Sequence, residues 1–141
     1  MSISAAIAYR HDGQHARLFF QMRPGSYDTP TLIDFLEDLR REFKGERVLL
    51  IWDGLPAHKS NNMKEYLHAQ RRWLQVERLP PYSPDLNPVE SLWGNVKGQE
   101  LANRCVDELG EMTSAARTGL ERARRRPQLL FGFLHHTGLF L

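Results

Sequence analysis

Two acidic residues stand in settings that invite chemistry. Asp53 follows the unbroken apolar run Val48–Trp52 and precedes Gly54, so its carboxylate projects from the end of a buried strand. Glu90 lies 37 positions further on, behind a segment, Leu79–Pro88, that holds four of the chain's eight prolines. So rigid a loop fixes the start of the helix that carries Glu90. If the two carboxylates converge they offer hard oxygen ligands suited to Mg²⁺, which keeps several waters and takes one or two protein carboxylates plus substrate phosphate. Each has an ordinary reading too. Asp-Gly at a strand end is common turn chemistry, and Asn87 with Glu90 has the spacing of a capping box. His58, five positions after Asp53, is either a contact to a phosphate or water, or a loop residue at a helix entry. Arg117, Arg122, Arg124, Arg125 and Arg126 form a basic stripe that would neutralise phosphates; the alternative is a solvated helix face paired with Glu121. Trp73 and Tyr82 are candidates for stacking on bases or partner chains, and Trp52 and Trp93 read as core.

These residues need elements to hold them. Ile3, Ala5, Ile7 and Tyr9 alternate with period two, and His11-Asp12-Gly13-Gln14 carries the turn signal of a hairpin whose return strand is Leu18 to Met22. Thr29 is the expected N-cap of a helix with Pro30 at its first position and Leu32, Phe35, Leu36, Leu39 and Phe43 on its buried face. Val48–Trp52 reads as a strand covered on both faces. Ser60 caps a second helix, Val76 to Leu79 is a short strand, Asn87 caps a third helix, and Tyr82 and Leu86 give the proline loop something to pack. A fourth helix spans about Asp107 to Arg126, with Leu109, Met112, Ala116, Leu120 and Ala123 as its stripe, and the apolar tail Leu129–Leu141 docks on the body or on another subunit. Strands and helices in this order make an α/β fold, in which ligands sit beyond the carboxyl ends of the parallel strands.

Composition narrows the class without naming a partner. A chain of 141 residues with 41% hydrophobic and 26% charged residues suits one ordinary globular domain. Its net charge of +2 points to no particular ligand. The single cysteine, Cys105, excludes an intramolecular disulfide and fits a reducing cytoplasm. Apolar runs of five or six residues are far too short to span a membrane.

The phrases Val48-Leu49-Leu50-Ile51-Trp52-Asp53-Gly54-Leu55-Pro56-Ala57-His58 and Leu79-Pro80-Pro81-Tyr82-Ser83-Pro84-Asp85-Leu86-Asn87-Pro88-Val89-Glu90-Ser91-Leu92-Trp93 closely resemble the DDE transposases of bacterial insertion sequences in the Tc/mariner superfamily. Arg23-Pro24-Gly25-Ser26-Tyr27 and the arginine-rich helix before Pro127 are similar to that family as well. The resemblance implies a ribonuclease H-like (retroviral integrase-like) mixed sheet flanked by helices, in which three carboxylates hold two divalent ions, Mg²⁺ or Mn²⁺. It matches Asp53 to the second carboxylate and Glu90 to the third. It places the first carboxylate on a central strand upstream of the strand that begins here at Ser2, and a DNA-binding helix-turn-helix before that. The expectation is therefore a single, N-terminally truncated catalytic domain over 1–141, bacterial and cytoplasmic, acting on transposon ends and target DNA. Asp12, in the hairpin turn, is too far to replace the missing acid, and Asp28 follows an outer strand. A companion chain would supply the first Asp, or a second copy a strand. The isolated chain is expected to be inactive. The alternative is a non-catalytic remnant or interaction module that pairs with full-length transposase.

Overall fold

A computed structural model describes residues 2–54, 56–101 and 109–139. In chain order the elements are β1 (Ser2–Tyr9), β2 (Ala16–Arg23), α1 (Thr29–Glu42), β3 (Val48–Trp52), α2 (Pro56–Lys59), α3 (Asn61–Ala69), β4 (Leu74–Arg78), a 3₁₀ turn (Pro84–Leu86), α4 (Pro88–Gln99), α5 (Leu109–Arg124) and α6 (Pro127–His136). They fall into two compact units, one of Met1–Ser4 and Gln21–Ser83, the other of Ala5–Phe20 and Pro84–Leu141. Among the described residues the strands form two separate two-stranded sheets, β1 with β2 and β3 with β4. The six residues between β1 and β2 are too few for a crossover, so that pair is an antiparallel hairpin. Asp12 is used locally in its turn, accepting from Gln14 N at 2.9 Å.

The first unit is built on the parallel pair. β3 and β4 run in register from Val48 opposite Leu74 to Trp52 opposite Arg78, joined through α2 and α3. α1 packs on α3 and α3 on β4, and Leu32, Phe35, Leu36, Leu39, Met63 and Leu74 are buried there. Burying a side chain of this size contributes roughly 1.5–3 kcal/mol. Two sequence expectations change. The N-cap of α1 is Asp28, not Thr29: its Oδ1 accepts from Thr31 N at 3.0 Å while Thr31 Oγ1 accepts from Asp28 N at 2.9 Å. A carboxylate complements the helix N-terminus better than a hydroxyl, and these bonds hold the Asp28 carboxyl below its ordinary range. Nor is β3 covered on both faces, because Leu49 and Ile51 are 57% and 53% exposed.

In the second unit α4, α5 and α6 pack on one another, burying Leu92, Val96, Ala115, Ala116, Leu120, Ala123, Leu130, Phe133 and Leu134. Small residues let α5 approach α4 closely: a Cβ on Gly119 would lie 2.8 Å from Val96 Cγ1 and from Glu100 Oε1. The apolar tail docks within its own unit, as α6, and Tyr9 of the hairpin donates to Leu130 O at 2.6 Å. Met112, expected on the buried stripe of α5, is 46% exposed. Cys105, the start of the predicted fourth helix and the Leu109 side chain lie outside the described residues.

Candidate functional site

Asp53 stands at the carboxyl end of β3, where the parallel pair opens. Its side chain is half exposed, at 50%. Gly54 is not among the glycines with positive φ, so the Asp53-Gly54 pair is not a turn that demands glycine. The residue brought to Asp53 is His58, only 11% exposed, with Nδ1 2.7 Å from Asp53 O and 3.1 Å from Asp53 Oδ1. A backbone carbonyl only accepts, so Nδ1 carries the proton and donates. The ring lies flat on Trp52, centroids 4.1 Å apart and planes 4° from parallel. Trp52 is thus half buried and serves as the platform of His58, rather than as simple core. The imidazole's other nitrogen, Nε2, makes no hydrogen bond among the described residues.

Two cations at this edge were not legible in the sequence. A Cβ on Gly54 would meet Lys59 Cε at 3.1 Å and Arg78 Cδ at 3.5 Å, so both side chains flank the glycine next to Asp53. Lys59 ends α2 and Arg78 ends β4, both exposed. The register that sets Arg78 beside Trp52 is a property of the strand pair, and only the position of Lys59 directly after His58 hinted at it.

Glu90 lies in the second unit, in the first turn of α4. Asn87 caps that helix by accepting from Val89 N at 3.1 Å, and Pro88 occupies the first turn, as the sequence implies. The Glu90 side chain is exposed and takes no part in the cap; among the described residues it has no ion-pair or side-chain hydrogen-bond partner. The capping-box reading therefore fails, and the carboxylate is left available. Tyr82 does not pack the proline loop: it is fully exposed and sits at φ 57°, a left-handed conformation costly for a bulky residue.

The arginine stripe divides. Arg122 makes two bonds to Glu100, each 2.7 Å, and a third to Asn95 Oδ1 at 2.6 Å, and the Glu100 bonds raise its pKa. Arg124 contacts Glu121 at 3.2 Å and lies over the Phe20 ring at 4.4 Å. Arg117, Arg125 and Arg126 are exposed without an ion-pair partner among the described residues. The described residues contain no group of three His, Cys, Asp or Glu arranged to hold a metal, and no helix long and apolar enough to cross a membrane.

The chain belongs to the DDE superfamily endonucleases, whose family profile matches residues 2–113. It is 32% identical over 92 residues to the transposable element Tcb2 transposase of Caenorhabditis briggsae, a match covering 58% of this chain and 33% of that protein. The chain thus spans about a third of the length of that curated relative. Its fold is ribonuclease H-like and similar to the catalytic domain of Mos1 mariner transposase, with TM-score 0.53 and 14% identity over 99% of this chain and 83% of that one. The Mos1 catalytic domain solved with raltegravir and Mn aligns with TM-score 0.51 and 14% identity, over 99% and 84% of the two chains.

Proposed function

We propose that this chain is the catalytic-domain portion of an insertion-sequence transposase, cutting DNA strands and joining a freed 3′-OH to target DNA with divalent metal. The observation that carries this reading is the pair of carboxylates at element ends: Asp53, half exposed beside His58 at the end of β3, and Glu90, exposed at the start of α4 without a side-chain partner among the described residues. Both are hard oxygen donors and leave room for waters and phosphate oxygens, which fits Mg²⁺ or Mn²⁺; Mos1 catalytic-domain structures were solved with each of these metals. Asp53 and Glu90 would hold the metal, which when bound activates the attacking oxygen and stabilises the leaving one. The remaining chemistry is the chain's own. His58 donates through Nδ1 to Asp53, fixing the carboxylate, and presents Nε2 towards a phosphate or water. Lys59 and Arg78 offer positive charge to the scissile phosphate. No nucleophilic side chain enters, so no covalent protein–DNA intermediate forms.

The test is calorimetric titration of the chain with Mn²⁺, followed by nicking of transposon-end DNA by the full-length protein that contains it. Asp53→Asn and Glu90→Gln should each abolish nicking and lower Mn²⁺ affinity. Nicking that survives Asp53→Asn sinks the assignment.

A second reading, a non-catalytic module that pairs with full-length transposase, is favoured by one observation. Among the described residues β3 pairs with β4 along one edge only, and Leu49 and Ile51 lie exposed on one face of the strand. The apolar tail gives this reading no support, since α6 is buried in its own unit. Stoichiometric association with full-length transposase, with nicking inhibited rather than restored, would select it.

A further inference from the structure

The end of the β3–β4 pair opposite Asp53 carries a second concentration of charge. An open groove of about 690 Å³ lies there, within the first unit. Arg40 and Arg41 reach it from the last turn of α1, Lys44 and Arg47 from the loop into β3, and Arg72 with Trp73 from the turn into β4. The strand starts are locked side by side by Val48 N donating to Trp73 O at 2.7 Å. Five cations therefore face two carboxylates, Glu37 and Glu46, in the lining of one groove, although the whole chain carries only +2. Much of the charge on α1 is already engaged: Arg40 lies 3.9 Å from Glu37, Arg41 is paired with Asp38, and both sit at a helix C-terminus that favours cations. Lys44, Arg47 and Arg72 are different. They are exposed, and among the described residues they have no hydrogen-bond or ion-pair partner through their side chains. Trp73, half buried beside them, is fixed by Nε1 donating to Gln70 Oε1 at 2.8 Å.

We infer that this groove is a second DNA-binding site, taking the phosphodiester backbone of duplex DNA on Lys44, Arg47 and Arg72 against the Trp73 edge, remote from the carboxylates. Arg47 and Asp53 are six residue steps of extended chain apart, about 20 Å, so one ligand phosphate cannot serve both ends. A flanking segment of the same duplex can. The site holds DNA without reading sequence, because point charges on phosphates position a duplex but do not specify bases. The choice of DNA as the polyanion rests on the catalytic-domain reading above; the groove itself does not.

The experiment is fluorescence anisotropy of the full chain with a labelled random-sequence 20-base-pair duplex between 50 and 200 mM salt, without metal. Three phosphate contacts give a slope of log K against log salt of about −2.7. Relative to wild type, K44Q/R47Q/R72Q should flatten the slope by about that amount, so that wild type loses about 40-fold more affinity than the variant across this range. K44R/R47K/R72K, which keeps the charges, should retain the wild-type slope, and circular dichroism checks that both variants fold. An unchanged slope in the glutamine variant overturns the proposal, as does binding to vesicles rich in anionic lipid with none to DNA. The measurement uses neither metal nor cleavage, so failure of the metal site and failure of the groove are told apart.

Discussion

Asp53, His58 and Trp52 form one contact cluster at the carboxyl end of β3. The stacked ring at 4.1 Å leaves the imidazole little rotational freedom, and the donor at Nδ1 then has one place to go, towards Asp53. Partners that orient a metal-binding group typically change affinity 10- to 100-fold when removed. His58→Ala is therefore expected to weaken Mn²⁺ binding about ten-fold, while His58→Asn, whose amide N–H replaces Nδ1–H, restores most of it. Calorimetry measures both, and equal affinities for wild type and the alanine variant would refute the positioning role. A long-range ¹H–¹⁵N correlation spectrum adds a direct readout, since the neutral ring should carry its proton on Nδ1. The sequence showed the residue types here and their five-residue spacing. It did not show the stack, because Trp52 in an apolar run reads as core until the turn that returns His58 over its face is known.

At the scale of elements, the arginine stripe shows how one helix face serves two ends. Arg122 is drawn inward because Gly119 and the alanines of α5 bring that helix against α4, within reach of Glu100 and Asn95. The two charged side chains are only 18% and 12% exposed. Removing one partner from such a pair leaves an uncompensated charge, at about 3 kcal/mol. Arg122→Met is accordingly expected to lower unfolding stability in urea by about that much, and Arg122→Met with Glu100→Leu to recover most of it. The DNA salt slope should not move, since Arg122 faces a carboxylate rather than solvent. A steep loss of DNA affinity with unchanged stability would return Arg122 to the binding stripe. Helical spacing alone put all five arginines in one class; burial against a neighbouring helix is what separates them.

For the whole molecule, each of the two units holds one tyrosine whose hydroxyl resists ionisation. Burial pushes the Tyr9 hydroxyl up in the second unit, and burial with the Glu37 carboxylate beside it pushes Tyr66 up in the first. In the unfolded chain these phenols ionise near pH 10. Raised folded values mean that the native state holds protons which the unfolded state releases. The stabilisation is thus complete below about pH 10 and is lost as pH rises through the folded values. Thermal unfolding should show midpoints steady from pH 7 to 9.5 and falling above 10. Tyr9→Phe with Tyr66→Phe should flatten that decline, and an equal decline in the double variant would show that other groups cause it.

The sequence by itself determined the α/β order, the hairpin, the Asn87-Pro88 helix start and the family, since these rest on periodicity, caps and phrases local to the chain. It also marked Asp53 and Glu90 as the acids to watch. Only the tertiary structure decided which neighbours they have: His58 and Trp52 at Asp53, Lys59 and Arg78 beside Gly54, and nothing capping through Glu90. Among the described residues it likewise split the strands into two sheets, left one face of β3 exposed and gathered three cations without side-chain partners at the far end of the strand pair. The reason is physical. Propensity and spacing act over a few residues, whereas burial, pairing and the neutralisation of charge depend on partners that only the folded chain brings together.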